Sequence, residues 1–140
     1  MLKHIPSSLT PELVKLMMEM GHGEELLLAD ANFPALTNVK NGVRLSIPAP
    51  SIAGLLSDIL RFFPLDEAVE CPAVVMEAAQ ENGISQRYAQ VMQGSGVSSE
   101  IDTLERFAFY ERARGAAGIV VTADTAKASN IIIKKGVVRE

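Results

Sequence analysis

The amino-terminal segment has apolar side chains three or four residues apart, a spacing that places them on one face of a helix. They are Leu13, Leu16, Met17 and Met20. Thr10 suits the N-cap, because its hydroxyl can accept a backbone N–H, and Pro11 suits the first helical position. Gly21 is expected to end this helix as its C-cap.

Short apolar runs without alternation predict strands that are covered on both faces. They lie at 26–29, 73–76, 117–122 and 130–134. Residues 43–47 alternate after the turn pair Asn41-Gly42 and predict a further strand, and 101–104 predict a short one. Helical spacing or composition predicts helices at 52–60, 85–93 and 106–114.

The order of these elements favours an α/β fold with a mostly parallel or mixed sheet and helices on both faces. With 140 residues and no repeat or linker, the chain is expected to form one domain, residues 1–140. In such folds ligands bind beyond the C-terminal ends of the strands. Asp30 follows the strand at 26–29 and is expected at that edge.

Composition narrows the function classes. The chain is 48% apolar and 21% charged, which excludes disorder, and its net charge of −4 argues against a nucleic-acid partner. The lone Cys71 cannot form an internal disulfide, and the first residues lack a signal-peptide pattern. No apolar stretch reaches the roughly 18 residues that span a membrane. A cytoplasmic protein without a membrane partner is therefore expected.

Several kinds of site lack their sequence pattern. His4, His22 and Cys71 have no metal-ligand spacing, so no metal is predicted. The Gly94-Ser95-Gly96 loop lacks the further glycine of a dinucleotide fingerprint, and it is not the GxSxG elbow of a serine hydrolase.

His22 is isolated between two glycines. A histidine titrates near neutral pH, so His22 is either a general acid/base that a ligand can approach closely or an exposed loop residue after a helix. A strand rises about 3.3 Å per residue, which puts His22 and Asp30 roughly 20 Å apart at opposite ends of one strand. For both to meet one ligand, a neighbouring subunit has to supply one of them.

Residues 106–112 form the segment of this chain that is richest in aromatic side chains, with Phe107, Phe109 and Tyr110. Guanidinium and phenol groups such as those of Arg106 and Tyr110 suit sugar hydroxyls through hydrogen bonds and stacking. The alternative is that the aromatic residues fill the core or a subunit contact while the arginines are solvated.

Taken together, several segments resemble the fucose mutarotase and ribose pyranase family, and most closely its fucose mutarotase branch, over essentially the whole chain. They are Leu2-Lys3, Pro11-Glu12-Leu13, Glu19-Met20-Gly21-His22-Gly23, Ala29-Asp30-Ala31-Asn32-Phe33-Pro34, residues 106–112 and residues 130–137. The resemblance implies a three-layer α/β/α subunit in a ring-shaped homo-oligomer, a pentamer or a decamer of two pentamers. Its monosaccharide pockets would lie where subunits meet, and no cofactor would be used.

The resemblance also assigns roles. It makes His22 the acid/base of a mutarotase that opens and recloses a sugar ring, with Tyr110 a second candidate for packing or proton transfer. Asp30, Arg106 and the segment Ala128-Ser129-Asn130 would hold the sugar.

One position departs from the family pattern. The last binding segment of the family usually reads Tyr-Gly-Asn or Tyr-Ala-Asn, whereas this chain has Ala128-Ser129-Asn130. Losing the ring and its hydroxyl lowers affinity or rate by about one to two orders of magnitude unless another residue compensates or the sugar differs. A non-catalytic monosaccharide-binding protein of the same fold is therefore the alternative, and a purely structural ring is a third.

Overall fold

The computed structural model describes residues 1–139, which contain six strands and six helices. The strands are β1 (Glu25–Ala29), β2 (Val43–Ser46), β3 (Ala73–Met76), β4 (Ile101–Leu104), β5 (Gly118–Val121) and β6 (Ile131–Lys134). The helices are α1 (Pro11–Glu19), α2 (Ala35–Asn38), α3 (Ile52–Leu60), α4 (Ala78–Glu81), α5 (Ile84–Gly94) and α6 (Arg106–Ala113). No helix within these residues is long and apolar enough to cross a membrane.

The strands form one mixed sheet in the order β2-β5-β1-β6-β3-β4. β1, β2 and β5 pair in parallel, as do β3 and β4. β6 lies between β1 and β3 and runs antiparallel to both. The predicted strands are all present, and the expectation of a mostly parallel or mixed sheet is confirmed in its mixed form.

Helices cover both faces of the sheet. Because successive side chains of a strand point to opposite faces, each strand contributes to both layers of the core. On β1, Leu26 and Leu28 pack with α1, α3 and α5, whereas Leu27 and Ala29 pack against α2 and α6. β6 is divided in the same way, with Ile132 on the second face. Strands β1, β3, β5 and β6 lack polar alternation because both of their faces are buried.

The end of α1 differs from the prediction. Thr10 caps its amino end by accepting the Leu13 N–H, as expected. The C-cap, however, is Met20 in an extended conformation, and Gly21 donates its N–H to the Glu24 carboxylate at 3.0 Å. The left-handed glycine of this loop is Gly23, with φ +85°. The chain thus turns after His22 rather than before it.

Gly42 was predicted as a turn residue, and the structure gives a different reason for it. β2 joins β5 in parallel, so the pair Asn41-Gly42 does not close a hairpin. A Cβ at Gly42 would lie 2.6 Å from the Ala116 carbonyl oxygen and 2.9 Å from that of Ala117. Glycine is needed because two backbone segments approach closely.

The segment after α3 is attached to the end of β6. Leu65 forms an antiparallel bridge with Lys135, and Gly136 donates its N–H to the Pro64 carbonyl at 2.8 Å. A Cβ at Gly136 would overlap the Leu65 carbonyl oxygen and lie 3.1 Å from the Cα of Asp66. A glycine is therefore required for this crossing of two backbones.

We expect Gly136→Ala to lower the free energy of unfolding by about 1–3 kcal/mol, because the added methyl group meets backbone that cannot rotate away. Gly94→Ala is the matched control, since a Cβ there meets nothing within 4 Å and alanine favours the helix. Urea unfolding of both variants measures the difference. Equal stability of the two variants would contradict the close approach.

Candidate functional site

A cavity of about 570 Å³ opens at the sheet edge where the parallel strands end. Five of the seven predicted site residues line it: Asp30, Arg106, Tyr110, Ala128 and Asn130. They are brought together from three places, the end of β1, the start of α6 and the loop before β6. Because β6 is antiparallel, its start lies at the same edge as the end of β1.

Asp30 is a buried carboxylic acid, 7% exposed, that lines the cavity. Its backbone N–H donates to Oδ1 of Asn130 at 2.7 Å, and its own Oδ1 accepts the N–H of Asn32 at 2.8 Å. Burial raises the pKa of the Asp30 carboxyl above its ordinary value, while hydrogen bonds from Asn32 and Asn130 offset part of the rise. The negative charge of Asp124 adds to it.

The loop before β6 is held by a buried tyrosine. The Tyr88 hydroxyl donates to the Ser129 carbonyl at 2.5 Å, and burial raises the pKa of that phenol. Ser129 itself is 1% exposed and does not line the cavity, so its hydroxyl is not placed where it could meet a ligand. Ala128 does face the cavity and has a positive φ of 56°, uncommon for a residue with a Cβ.

Arg106 and an aromatic wall form the opposite side. Glu105 caps α6 by accepting the N–H groups of the next turn, which fixes the start of the helix. The Arg106 guanidinium lies 4.7 Å from the ring centroid of Phe107 and 5.9 Å from that of Tyr110. Tyr110 packs edge-on against Phe33, with centroids 5.4 Å apart. A cationic donor beside apolar rings suits a ligand with hydroxyl and C–H faces.

His22 lies at the other edge of the sheet. Its loop is attached to the end of β6, where Gly23 donates to the Lys135 carbonyl at 2.8 Å. Nε2 of His22 is 2.9 Å from Oδ1 of Asp66. The structure therefore does not bring His22 and Asp30 together within one subunit, as their separation along a strand indicated.

Some residues near the cavity were not found from the sequence. Phe33, Glu77, Glu81 and Lys127 also line it. Phe33 could have been predicted, because it lies three residues after Asp30 in the same turn. The others lie in loops or on the short α4, where no sequence pattern points to the cavity. Arg112, which belongs to the aromatic segment, is not a free ligand group: it forms an ion pair with Glu25 at 2.7 Å.

The charged groups show no arrangement typical of a bound metal. Among residues 1–139, no three His, Cys, Asp or Glu side chains converge closely enough to hold an ion. Hydroxyl-bearing ligands, by contrast, match the available chemistry, since a carboxylate accepts and a guanidinium donates hydrogen bonds. Fold and cavity together define an α/β protein with a pocket lined by polar and aromatic side chains at the edge of its sheet.

Comparison with known proteins identifies the family. Residues 3–138 match the RbsD / FucU transport protein family, and the chain belongs to that family. It is 43% identical to the fucose mutarotase of Danio rerio, covering 98% of this chain and 94% of that protein. It is 41% identical to the L-fucose mutarotase of Actinobacillus pleuropneumoniae serotype 5b, covering 98% and 97%.

A solved structure agrees with this assignment. The fucose mutarotase of Streptococcus pneumoniae, in complex with L-fucose, superposes with a TM-score of 0.88 at 40% identity. The match covers 99% of this chain and all of that one.

Asp30→Asn is expected to raise the melting temperature at pH 7, because a buried charge is replaced by a neutral amide that still accepts the Asn32 N–H. A raised folded-state pKa makes the ionised carboxyl unfavourable for folding above that pKa, and the penalty disappears below the ordinary value of 3.8. Thermal unfolding from pH 7 down to pH 3.5 should show the gain shrinking to zero. Asp102→Asn, at an exposed carboxylate, is the control. An equal rise in its melting temperature would contradict a destabilising effect of the buried Asp30 charge.

Tyr88→Phe should lower the free energy of unfolding by about 1–3 kcal/mol, because it leaves the buried Ser129 carbonyl without its donor. Tyr110→Phe, at the other tyrosine of the chain, should change it by less than about 0.5 kcal/mol. Chemical denaturation of both variants gives the comparison, and equal losses would contradict a stabilising hydrogen bond from Tyr88 to Ser129.

Proposed function

We propose that this protein is a cofactor-independent mutarotase that acts on L-fucose or a closely related monosaccharide. The observation that carries the proposal is the convergence of Asp30, Arg106 and Asn130 on one cavity, in a chain that mutarotases match along nearly its whole length. The reaction interconverts anomers, or pyranose and furanose forms, by opening and reclosing the ring.

The chemistry requires one positioned acid/base. Removal of the proton from the anomeric hydroxyl forms the carbonyl while the bond between the anomeric carbon and the ring oxygen breaks, and the ring oxygen takes up a proton. Rotation of the carbonyl then lets the ring close on either face. His22 serves as the group that accepts and returns the proton, a contribution of about 10²- to 10⁴-fold.

The cavity provides the anchors. Asp30 accepts hydrogen bonds from sugar hydroxyls, and Arg106 donates to sugar oxygens. Asn130 holds the Asp30 backbone in place. The apolar side of the sugar packs against Phe33 and Tyr110, whose rings meet at the cavity wall.

His22 reaches the sugar from a neighbouring subunit. Its ring is half exposed at the edge opposite Asp30, so it is available to a second copy. A groove lined by the exposed apolar side chains of Met18, Phe62 and Val138 also includes Lys135, whose carbonyl accepts the Gly23 N–H of the His22 loop. Such a surface is typical of subunit contacts. The assembly we propose is a ring, a pentamer or a decamer of two pentamers, in the cytoplasm.

Ala128 favours a second candidate function. It faces the cavity where the family pattern has tyrosine, so a proton donor and a stacking ring are missing from this side. A protein that binds a monosaccharide without catalysing its mutarotation would keep the anchoring residues and lose the acceleration of ring opening. Calorimetric binding of a sugar without accelerated exchange would favour this candidate over the mutarotase.

We expect His22→Asn to slow sugar exchange by about 10²- to 10⁴-fold, because the acid/base is removed. His4→Asn is the matched control at the other histidine, where asparagine tolerates the positive φ of 67°. Saturation-transfer NMR on the anomeric protons of L-fucose, D-ribose and related sugars gives the rates.

The control should retain the wild-type rate. No acceleration of exchange by the wild type with any of these sugars would refute the proposed mutarotase, and full activity of His22→Asn would refute His22 as its acid/base.

A further inference from the structure

Asp66 holds one edge of the His22 ring, although it is 44 residues away in the chain. Nε2 of His22 lies 2.9 Å from Oδ1 of Asp66. The two side chains differ in exposure, 51% for His22 and 6% for Asp66. The ring is therefore hydrogen-bonded at Nε2 to a buried carboxylate, while about half of its side-chain surface is exposed.

The Asp66 carboxylate is fixed by backbone hydrogen bonds. Its own N–H donates to the Lys134 carbonyl at 3.0 Å, and its Oδ1 accepts the Ala68 N–H at 3.0 Å. The His22 loop is attached to the next residue of the same strand end, through the bond from Gly23 to Lys135. Both members of the pair are thus positioned by one segment of backbone.

The hydrogen-bond chemistry determines where the imidazole proton sits. The bond from His22 and that from the Ala68 N–H lower the pKa of the Asp66 carboxyl, so it is ionised at neutral pH. An ionised carboxylate only accepts hydrogen bonds. Nε2 of His22 must therefore carry the hydrogen, and in a neutral ring Nδ1 is then an unprotonated acceptor.

We propose that Asp66 is a positioning residue for His22, which it holds as the Nε2–H tautomer so that Nδ1 exchanges the proton with the sugar. This inference rests on the proposed mutarotase function. In ring opening, Nδ1 takes the proton of the anomeric hydroxyl, the carbonyl forms, the bond to the ring oxygen breaks, and Nδ1–H returns that proton to the ring oxygen. Asp66 touches no reacting atom and keeps its charge throughout.

Nitrogen-15 NMR of the histidine rings tests the tautomer directly. The chain has two histidines, so His4→Asn assigns the signals of His22. At a pH where the ring is neutral, we expect a protonated Nε2 and a bare Nδ1 in the wild type. In Asp66→Asn the amide can donate or accept, and the two tautomers should become mixed.

Kinetics test the consequence. Asp66→Asn should slow anomer exchange by roughly 10- to 100-fold, the range found when the carboxylate that orients a metal-bound imidazole is lost. The dissociation constant of the sugar should stay within about twofold, because only the proton-transfer step is affected. Asp58→Asn is the matched control: its carboxylate accepts a hydrogen bond from the Ser8 hydroxyl at 2.6 Å, and its rate should equal that of the wild type.

An Nδ1–H tautomer in the wild type, an unchanged tautomer in Asp66→Asn, or a wild-type rate in that variant would each overturn the proposal. The wild-type spectrum decides the tautomer even where Asp66→Asn fails to fold. A wild type that accelerates no sugar would refute the proposed function instead, and the tautomer would still test the contact with Asp66.

Discussion

Strand β6 determines the geometry of the whole proposed site, because both halves of that site are attached to it. At its start, Asn130 accepts the N–H of Asp30. At its end, the carbonyls of Lys134 and Lys135 accept the N–H groups of Asp66 and Gly23. A strand is stiff and rises about 3.3 Å per residue, so the two halves are fixed at opposite edges of the sheet. A site that uses both can be completed only by a second copy of the chain.

The surroundings of Asp30 and Asp66, the two carboxylates next to β6, shift their pKa values in opposite directions. Burial raises the pKa of Asp30, which makes its charge costly to the fold and leaves it available for a hydroxyl-bearing ligand. Hydrogen bonds to His22 and Ala68 lower the pKa of Asp66, which keeps it a permanent acceptor for the imidazole. Both carboxylates are largely buried, so the opposite directions reflect their hydrogen-bond partners: the His22 bond outweighs desolvation at Asp66, whereas desolvation prevails at Asp30.

The sequence predicts the strands and longer helices well, because runs such as 26–29 and 73–76 are apolar on both faces and Thr10 has the chemistry of a cap. It also places Asp30 at the ligand edge, because Asp30 follows the strand at 26–29, whereas Arg106 and Asn130 are grouped with Asp30 only by the resemblance to the family. It misses α2 and α4, which are too short for periodicity. The contact between His22 and Asp66 joins distant segments through β6, and no local pattern reports it. Ser129 was expected among the ligand contacts, but it is buried and does not line the cavity.

Mixing of two inactive variants tests most directly whether one site is shared between subunits. His22→Asn removes the proposed acid/base and Arg106→Ala removes a proposed ligand anchor, and the two chains can be co-expressed and purified together. If neighbouring subunits complete each site, about a quarter of the sites in an equal mixture combine two intact edges, and exchange of L-fucose anomers should recover to that fraction of the wild-type rate. Activity no higher than that of the separate variants would contradict a shared site.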